Sequence, residues 1–256
     1  AWLFRELLEA GLLHEDVQTV AGAGLSRYCQ EPYLHNGELA WRDGPQASLD
    51  SDVLRPVGAP FAADGGLRML DGELGRGVVK VSAVAPEHRQ VTAPCRVFDS
   101  QEDFVAAFQA GELARDLVAV VRFQGPAANG MPELHRLMPY LGALQDKGHR
   151  VALVTDGRLS GASGKVPAAI HLCPEALQGG AIARLRDGDV LSLDADAGTL
   201  QVQADGPDWQ QRELAVCPET VRRGWGRELF AFMRAQASSA ELGASVFTAG
   251  LHEADQ

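Results

Sequence analysis

The chain has 256 residues, 46% hydrophobic and 22% charged, which supplies a sizeable core and is too apolar for a disordered segment. Its net charge of −11 opposes nucleic acid and anionic membrane, and no basic stripe with interleaved aromatics offsets it. Cys29, Cys95, Cys173 and Cys217 form no CxxC pair, which points to reduced thiols in a cytoplasmic protein, and no apolar run approaches the roughly 20 residues of a membrane span.

The first residues, AWLFRELLEAGLLHED, carry acidic side chains early and no small-residue cleavage site, unlike a signal peptide. The chain does not begin with Met, which hints at a start inside a longer protein. Phe4, Leu7, Leu8 and Gly11 share one face of a short amphipathic helix over residues 2–13. From about Gly22 to Gly66 the chain is rich in Gly, Pro, Asp and Ser and reads as an irregular arm that packs on something else. Val78–Val84 alternates like a strand, with Val79, Val81 and Ala83 on one side. Gln101–Gln109 is helical, with Asp99 and Ser100 as caps. Leu117–Phe123 and Val151–Thr155 are apolar runs of the kind found in buried strands. Between them Pro132–Asp146 reads as a helix with Leu134, Leu137, Leu141 and Leu144 inward. Val190–Leu193 and Thr199–Val202 resemble a hairpin, and Arg227–Ala237 a final amphipathic helix with Leu229, Phe230 and Met233 apolar. This order of elements predicts an α/β fold with a mixed sheet.

Two of those strands run into glycine-rich loops, Gln124-Gly-Pro-Ala-Ala-Asn-Gly-Met-Pro-Glu133 and Thr155-Asp-Gly-Arg-Leu-Ser-Gly-Ala-Ser-Gly-Lys165. Such loops at the carboxyl ends of parallel strands are ligand sites, because glycine lets backbone N–H groups approach an anion. If the strands are neighbours, Glu133 and Ser160 converge on one cavity. Gly164-Lys165 is not a Walker motif, since Leu159 and Val166 stand where glycine and Ser or Thr belong. Gly22-Ala-Gly24 is not a dinucleotide fingerprint, since Arg27 replaces its third glycine. Each residue also has a plainer reading. Glu133 suits a helix first turn, Ser160 and Ser163 suit a tight turn, and Arg122, Arg158 and Lys165 suit a charged surface. Lys80 snorkels from its strand, and His171 sits in an apolar stretch as a core histidine. Taken alone, these residues describe an anion-binding α/β domain.

The stretches VVRFQGPAANGMPELHRLMPYLG and ALVTDGRLSGASGKVPAAIH resemble the C-terminal half of the dihydroxy-acid and 6-phosphogluconate dehydratase family. RELLEAGLLHEDVQTVAGAGLSRY, NGELAWRDG, GRGVVKVSAV and GRELFAFMR are similar to its phosphogluconate branch in particular. The resemblance implies a swivelling β/β/α domain like the mobile domain of aconitases over residues 67–250. Residues 1–66 would then be the tail of a preceding α/β domain and a connecting arm, and 251–256 a disordered tail. It also implies a hydro-lyase reaction of the Entner–Doudoroff pathway, from 6-phospho-D-gluconate to 2-keto-3-deoxy-6-phosphogluconate. The family's cofactors are an iron–sulfur cluster of the 4Fe–4S kind and a divalent metal such as magnesium. Carried over to matching positions, Ser160 is the base and Glu133 a metal ligand, while Arg158, Ser163 and Lys165 are candidates for binding substrate. The cluster cysteines belong to an N-terminal half that this sequence lacks, so the isolated chain is expected to be inactive. Its partners would be that N-terminal domain and a second subunit, with no nucleic acid or membrane. The alternatives are a dihydroxy-acid or aldonate dehydratase, or a non-catalytic anion-binding module.

Overall fold

A computed structural model describes residues 1–62, 65–160, 164–203 and 209–247. Ser163, the expected tail 251–256 and part of the second glycine-rich loop lie outside them. The chain divides into two units, Ala1–Gly65 and Gly66–Gln256.

The first unit opens with helix α1 (Trp2–Glu9), shorter than the periodicity of residues 2–13 suggests, with only Trp2 buried. Arg5 ties it to the loops by donating to the carbonyls of Gly44, Pro45 and Cys29 at 3.1, 2.7 and 3.3 Å. Phe4 stacks on Tyr28 with ring centres 5.3 Å apart. After the short strands β1 (Gln18–Thr19) and β2 (Gly22–Ala23), β3 (Gln30–His35) pairs antiparallel with β4 (Glu38–Asp43). Within the stretch 22–66, expected to be irregular, residues 30–43 therefore form a hairpin. The hairpin is closed by the Asn36-Gly37 turn, where both residues have positive φ (53° and 85°), the backbone of a two-residue hairpin loop.

The second unit holds β5 (Leu67–Gly72), β6 (Gly75–Lys80), β7 (Gln90–Phe98), β8 (Leu117–Val121), β9 (Val151–Thr155), β10 (Ala168–Cys173), β11 (Val190–Asp194) and β12 (Thr199–Gln203). They close into an eight-stranded barrel in the order β10-β6-β5-β12-β11-β7-β8-β9. The sheet is mixed: β7 to β10 run parallel to one another, and β11 and β12 form the antiparallel hairpin expected from their spacing. Eight strands leave an interior just wide enough for side chains to fill. Here Val79, Val118, Val120, Ala152, Val154, Leu191 and Leu200 help to fill it. Closure at β5 and β12 needs Gly72, where a Cβ would come within 1.7 Å of the Leu200 carbonyl oxygen.

Outside the barrel, α2 (Gln101–Gln109) and α4 (Met138–Asp146) bury Phe104, Leu141 and Leu144 against Leu117, Ala119, Val121 and Leu153. β8 and β9 are thus covered on both faces, which is why they read as unbroken apolar runs. Ser100 caps α2, its hydroxyl accepting from the Asp103 N–H at 3.1 Å. The helix predicted from Pro132 begins only at Met138, because Glu133 is drawn into a parallel bridge with Arg158. α3 (Pro126–Asn129), α5 (Glu219–Arg222) and α6 (Ala231–Gln236) are short. The expected helix over 227–237 shrinks to α6. Positive φ at Gly224 and Gly226 breaks the chain before it, and Leu229, Phe230 and Met233 lie exposed instead of forming a buried face.

Candidate active site

The loops after β8 and β9 leave the carboxyl ends of two adjacent parallel strands and meet at Glu133. One oxygen of its carboxylate accepts the backbone N–H of Ser160 at 2.9 Å and that of His135 at 3.0 Å. The other accepts from the Arg158 guanidinium at 2.8 Å, while Arg158 Nε donates to the Met131 carbonyl at the same distance. The structure therefore brings Glu133, Arg158 and Ser160 together. It does not bring Lys165 to them. Lys165 is ion-paired with Asp146 and lines a different cavity with Met138 and Gly142.

Two buried carboxylates that the sequence pattern did not single out hold these loops. Asp156 is fully buried and accepts from the N–H groups of Phe123, Gln124 and Ala176 at 3.2, 2.9 and 2.9 Å. Glu175 accepts from Ala127 and Ala128 at 3.0 and 2.9 Å, at the start of α3. Gly125 makes room for it, since a Cβ there would meet a Glu175 carboxylate oxygen at 2.0 Å. Arg122 is also structural: its side chain is 12% exposed and bonded to Asp99 at 2.5 Å, so it is no surface charge.

Ser160 lines a cavity of about 450 Å³ together with Lys80 and His171. The expectation of a core histidine is corrected, because His171 is half-buried on that wall.

Residues 52–244 match the family described as the C-terminal part of dihydroxy-acid/6-phosphogluconate dehydratases. The chain belongs to this family. A phosphogluconate dehydratase of Pseudomonas aeruginosa is 63% identical over 252 residues, covering 98% of this chain and 41% of that protein. One from Escherichia coli K12 is 55% identical over 247 residues, with 96% and 41% covered. A dihydroxy-acid dehydratase of Ignicoccus hospitalis is 36% identical over 229 residues, with 87% and 38% covered. The chain thus spans about two fifths of the length of the curated relatives it matches.

The cofactors that the family implies find little in this part of it. Among the described residues no group of three or more His, Cys, Asp or Glu side chains is placed to hold a metal. Burial, helped by the charges of Asp189 and Asp187, pushes the Cys95 thiol up to about 12, and burial also raises Cys173. Burial of this kind opposes the thiolate form that a cluster ligand takes. Glu133 has the right chemistry for a hard divalent cation but is one ligand where six or more oxygens are needed. Among the described residues no helix is long and apolar enough to cross a membrane.

Burial raises Asp156 to about 6 and Glu175 to about 7, and for Glu175 the charge of Asp156 adds to the effect. Groups with raised folded pKa values bind protons more tightly folded than unfolded. Their stabilisation is complete below the ordinary carboxylate range and is lost as pH rises through about 6 and 7. The melting temperature is expected to fall between pH 5 and pH 7.5 on account of this pair, and Glu175→Gln to flatten that slope. Melting curves across this range check it; an unchanged slope in the variant would show that Glu175 is not responsible.

Proposed function

We propose that the chain is the C-terminal part of a hydro-lyase converting 6-phospho-D-gluconate to 2-keto-3-deoxy-6-phosphogluconate, a step of the Entner–Doudoroff pathway in the cytoplasm. The observation that carries this is the bond between the Glu133 carboxylate and the backbone of Ser160, across two loops at the carboxyl ends of parallel strands. Likeness to proteins named phosphogluconate dehydratase supports the substrate, since identity is 63% and 55% to two of these against 36% to the dihydroxy-acid enzyme. Residues 67–250 then form the swivelling β/β/α domain, with 1–66 as the tail of a preceding domain and its connecting arm. The complete enzyme is a homodimer.

The reaction removes the C2 proton and the C3 hydroxyl as water, and the resulting enol tautomerises to the 2-keto acid. Ser160 accepts the C2 proton as its alkoxide, a role that requires its position to be fixed. Glu133 fixes the Ser160 backbone and would be the residue of this chain to hold a divalent cation. Arg158 in turn holds Glu133, whereas Lys165 pairs with Asp146 instead, which supports Arg158 over Lys165 as a neighbour of the reacting centre. When bound, the cation and the cluster supply positive charge to the substrate carboxylate and the departing hydroxyl. Their remaining ligands belong to the rest of the protein.

The test is a substrate comparison with a completeness control. The full-length enzyme is expected to turn over 6-phosphogluconate at least about 100-fold more efficiently than gluconate or a 2,3-dihydroxy acid, the range a site built for a polar group can enforce. The 256-residue chain alone is expected to turn over none. Preference for an unphosphorylated acid would move the enzyme to the aldonate or dihydroxy-acid branch, and turnover by the chain alone would refute the divided site.

A further inference from the structure

The cavity beside Ser160 is lined mainly by apolar residues, among them Leu67, Leu159 and Ile170, yet two basic side chains enter its wall. Val78 and Lys80 alternate with the inward-facing Val79, so Lys80 ends β6 on the outer face of the barrel, half-buried. Among the described residues no hydrogen bond or ion pair engages its ammonium. Arg158 and Lys165 differ, each already facing a carboxylate.

His171 reaches the same wall by a backbone distortion. The register of β10 against β6 shifts between Ile170 and Cys173, leaving one extra residue on β10. His171 sits there at φ 58°, and its N–H donates to the Gly157 carbonyl of the Ser160 loop at 2.9 Å. Bulges of this kind re-aim side chains beside functional sites, and an αL residue other than glycine persists only where its surroundings hold it. Burial and the nearby Arg158 charge lower the His171 pKa, so at neutral pH the ring is neutral, with one N–H to donate.

We propose that Lys80 and His171 form an oxyanion-binding wall of the Ser160 cavity, which takes an anionic group of the substrate. A point charge with rotatable donors, a ring N–H and an apolar surround suit a carboxylate or a phosphate equally. Low polarity around them strengthens the attraction. The position of this anion beside the reacting carbon rests on the Ser160 reading above, but anion binding itself is measurable without turnover.

The experiment follows the His171 ring resonances of the 256-residue chain during titration with inorganic phosphate and, separately, acetate and gluconate. Saturable shifts with a Kd of about 10 mM or tighter are expected. Lys80→Met should abolish them, Lys80→Arg should keep them, and Lys165→Met should leave them unchanged. A phosphate-selective response assigns the wall to the phosphate end, and a response shared with acetate and gluconate assigns it to a carboxylate. Shifts that survive Lys80→Met but vanish in Lys165→Met would overturn the proposal, as would no saturable shift with any of the three anions. In the full-length enzyme Lys80→Met should raise KM about tenfold or more, the worth of one charge-assisted hydrogen bond, and lower kcat less. If the shifts appear while Ser160→Ala stays active, the anion wall stands and the assignment of the base falls.

Discussion

In the full-length enzyme Ser160→Ala is expected to lower kcat about 10²–10⁴-fold while moving KM for 6-phosphogluconate by no more than about threefold. A base that accepts a proton only in the transition state contributes little to ground-state binding, so the loss falls on kcat. The substitution deletes one hydroxyl and keeps the backbone N–H that donates to Glu133, so the loop geometry should survive. Steady-state kinetics with matched cofactor content decide the matter. Activity within about tenfold of wild type would remove Ser160 from the role.

The largest expected effect on stability comes from Asp156→Ala. Three backbone N–H groups, from Phe123, Gln124 and Ala176, converge on a carboxylate with no solvent exposure. Truncation strands all three in the interior, and a buried donor without a partner costs about 1–3 kcal/mol. A loss of about 3 kcal/mol or more in urea unfolding is therefore expected, with both glycine-rich loops loosened together. A change below about 1 kcal/mol would mean that water or a rearranged loop replaces the carboxylate.

The parallel strands β8 and β9 were legible in the sequence because they are covered on both faces, and so short a run of Val, Leu and Ala suits a buried strand better than a helix. The β11–β12 hairpin and the Ser100 cap were legible for local reasons, a turn and a side-chain acceptor close in sequence. β7 is not legible as a strand in the sequence: its residues alternate between buried and exposed, but Pro94, without an N–H, interrupts the pattern. β10 is not legible because its bulge at His171 breaks the period of two. Asn36-Gly37 is a local hairpin signal, hidden by a surrounding composition that reads as loop. Barrel closure was not legible at all. It depends on β12 meeting β5, about 130 residues apart in the chain, through a contact only Gly72 permits.

The candidate site divides the same way. Glu133 and Ser160 stand out as polar residues in glycine-rich loops after strands, and their convergence needed only the adjacency of β8 and β9. Lys165 looked like the natural cation of its loop, but Asp146, 19 residues upstream, comes round on α4 to meet it. Lys80 carries no local signal, because its place beside Ser160 depends on the pairing of β6 with β10, its neighbour in the barrel but distant in the chain.

Exchange of the C2 proton of 6-phosphogluconate with D2O, followed by NMR in the full-length enzyme, tests the central claim most directly. It reads proton removal alone, apart from loss of the hydroxyl. Wild-type enzyme is expected to place deuterium at C2 of returned substrate under slow turnover. Ser160→Ala is expected to place none above the solvent background while still binding substrate. Deuterium incorporation by Ser160→Ala at the wild-type rate would contradict the account and assign the base to another residue.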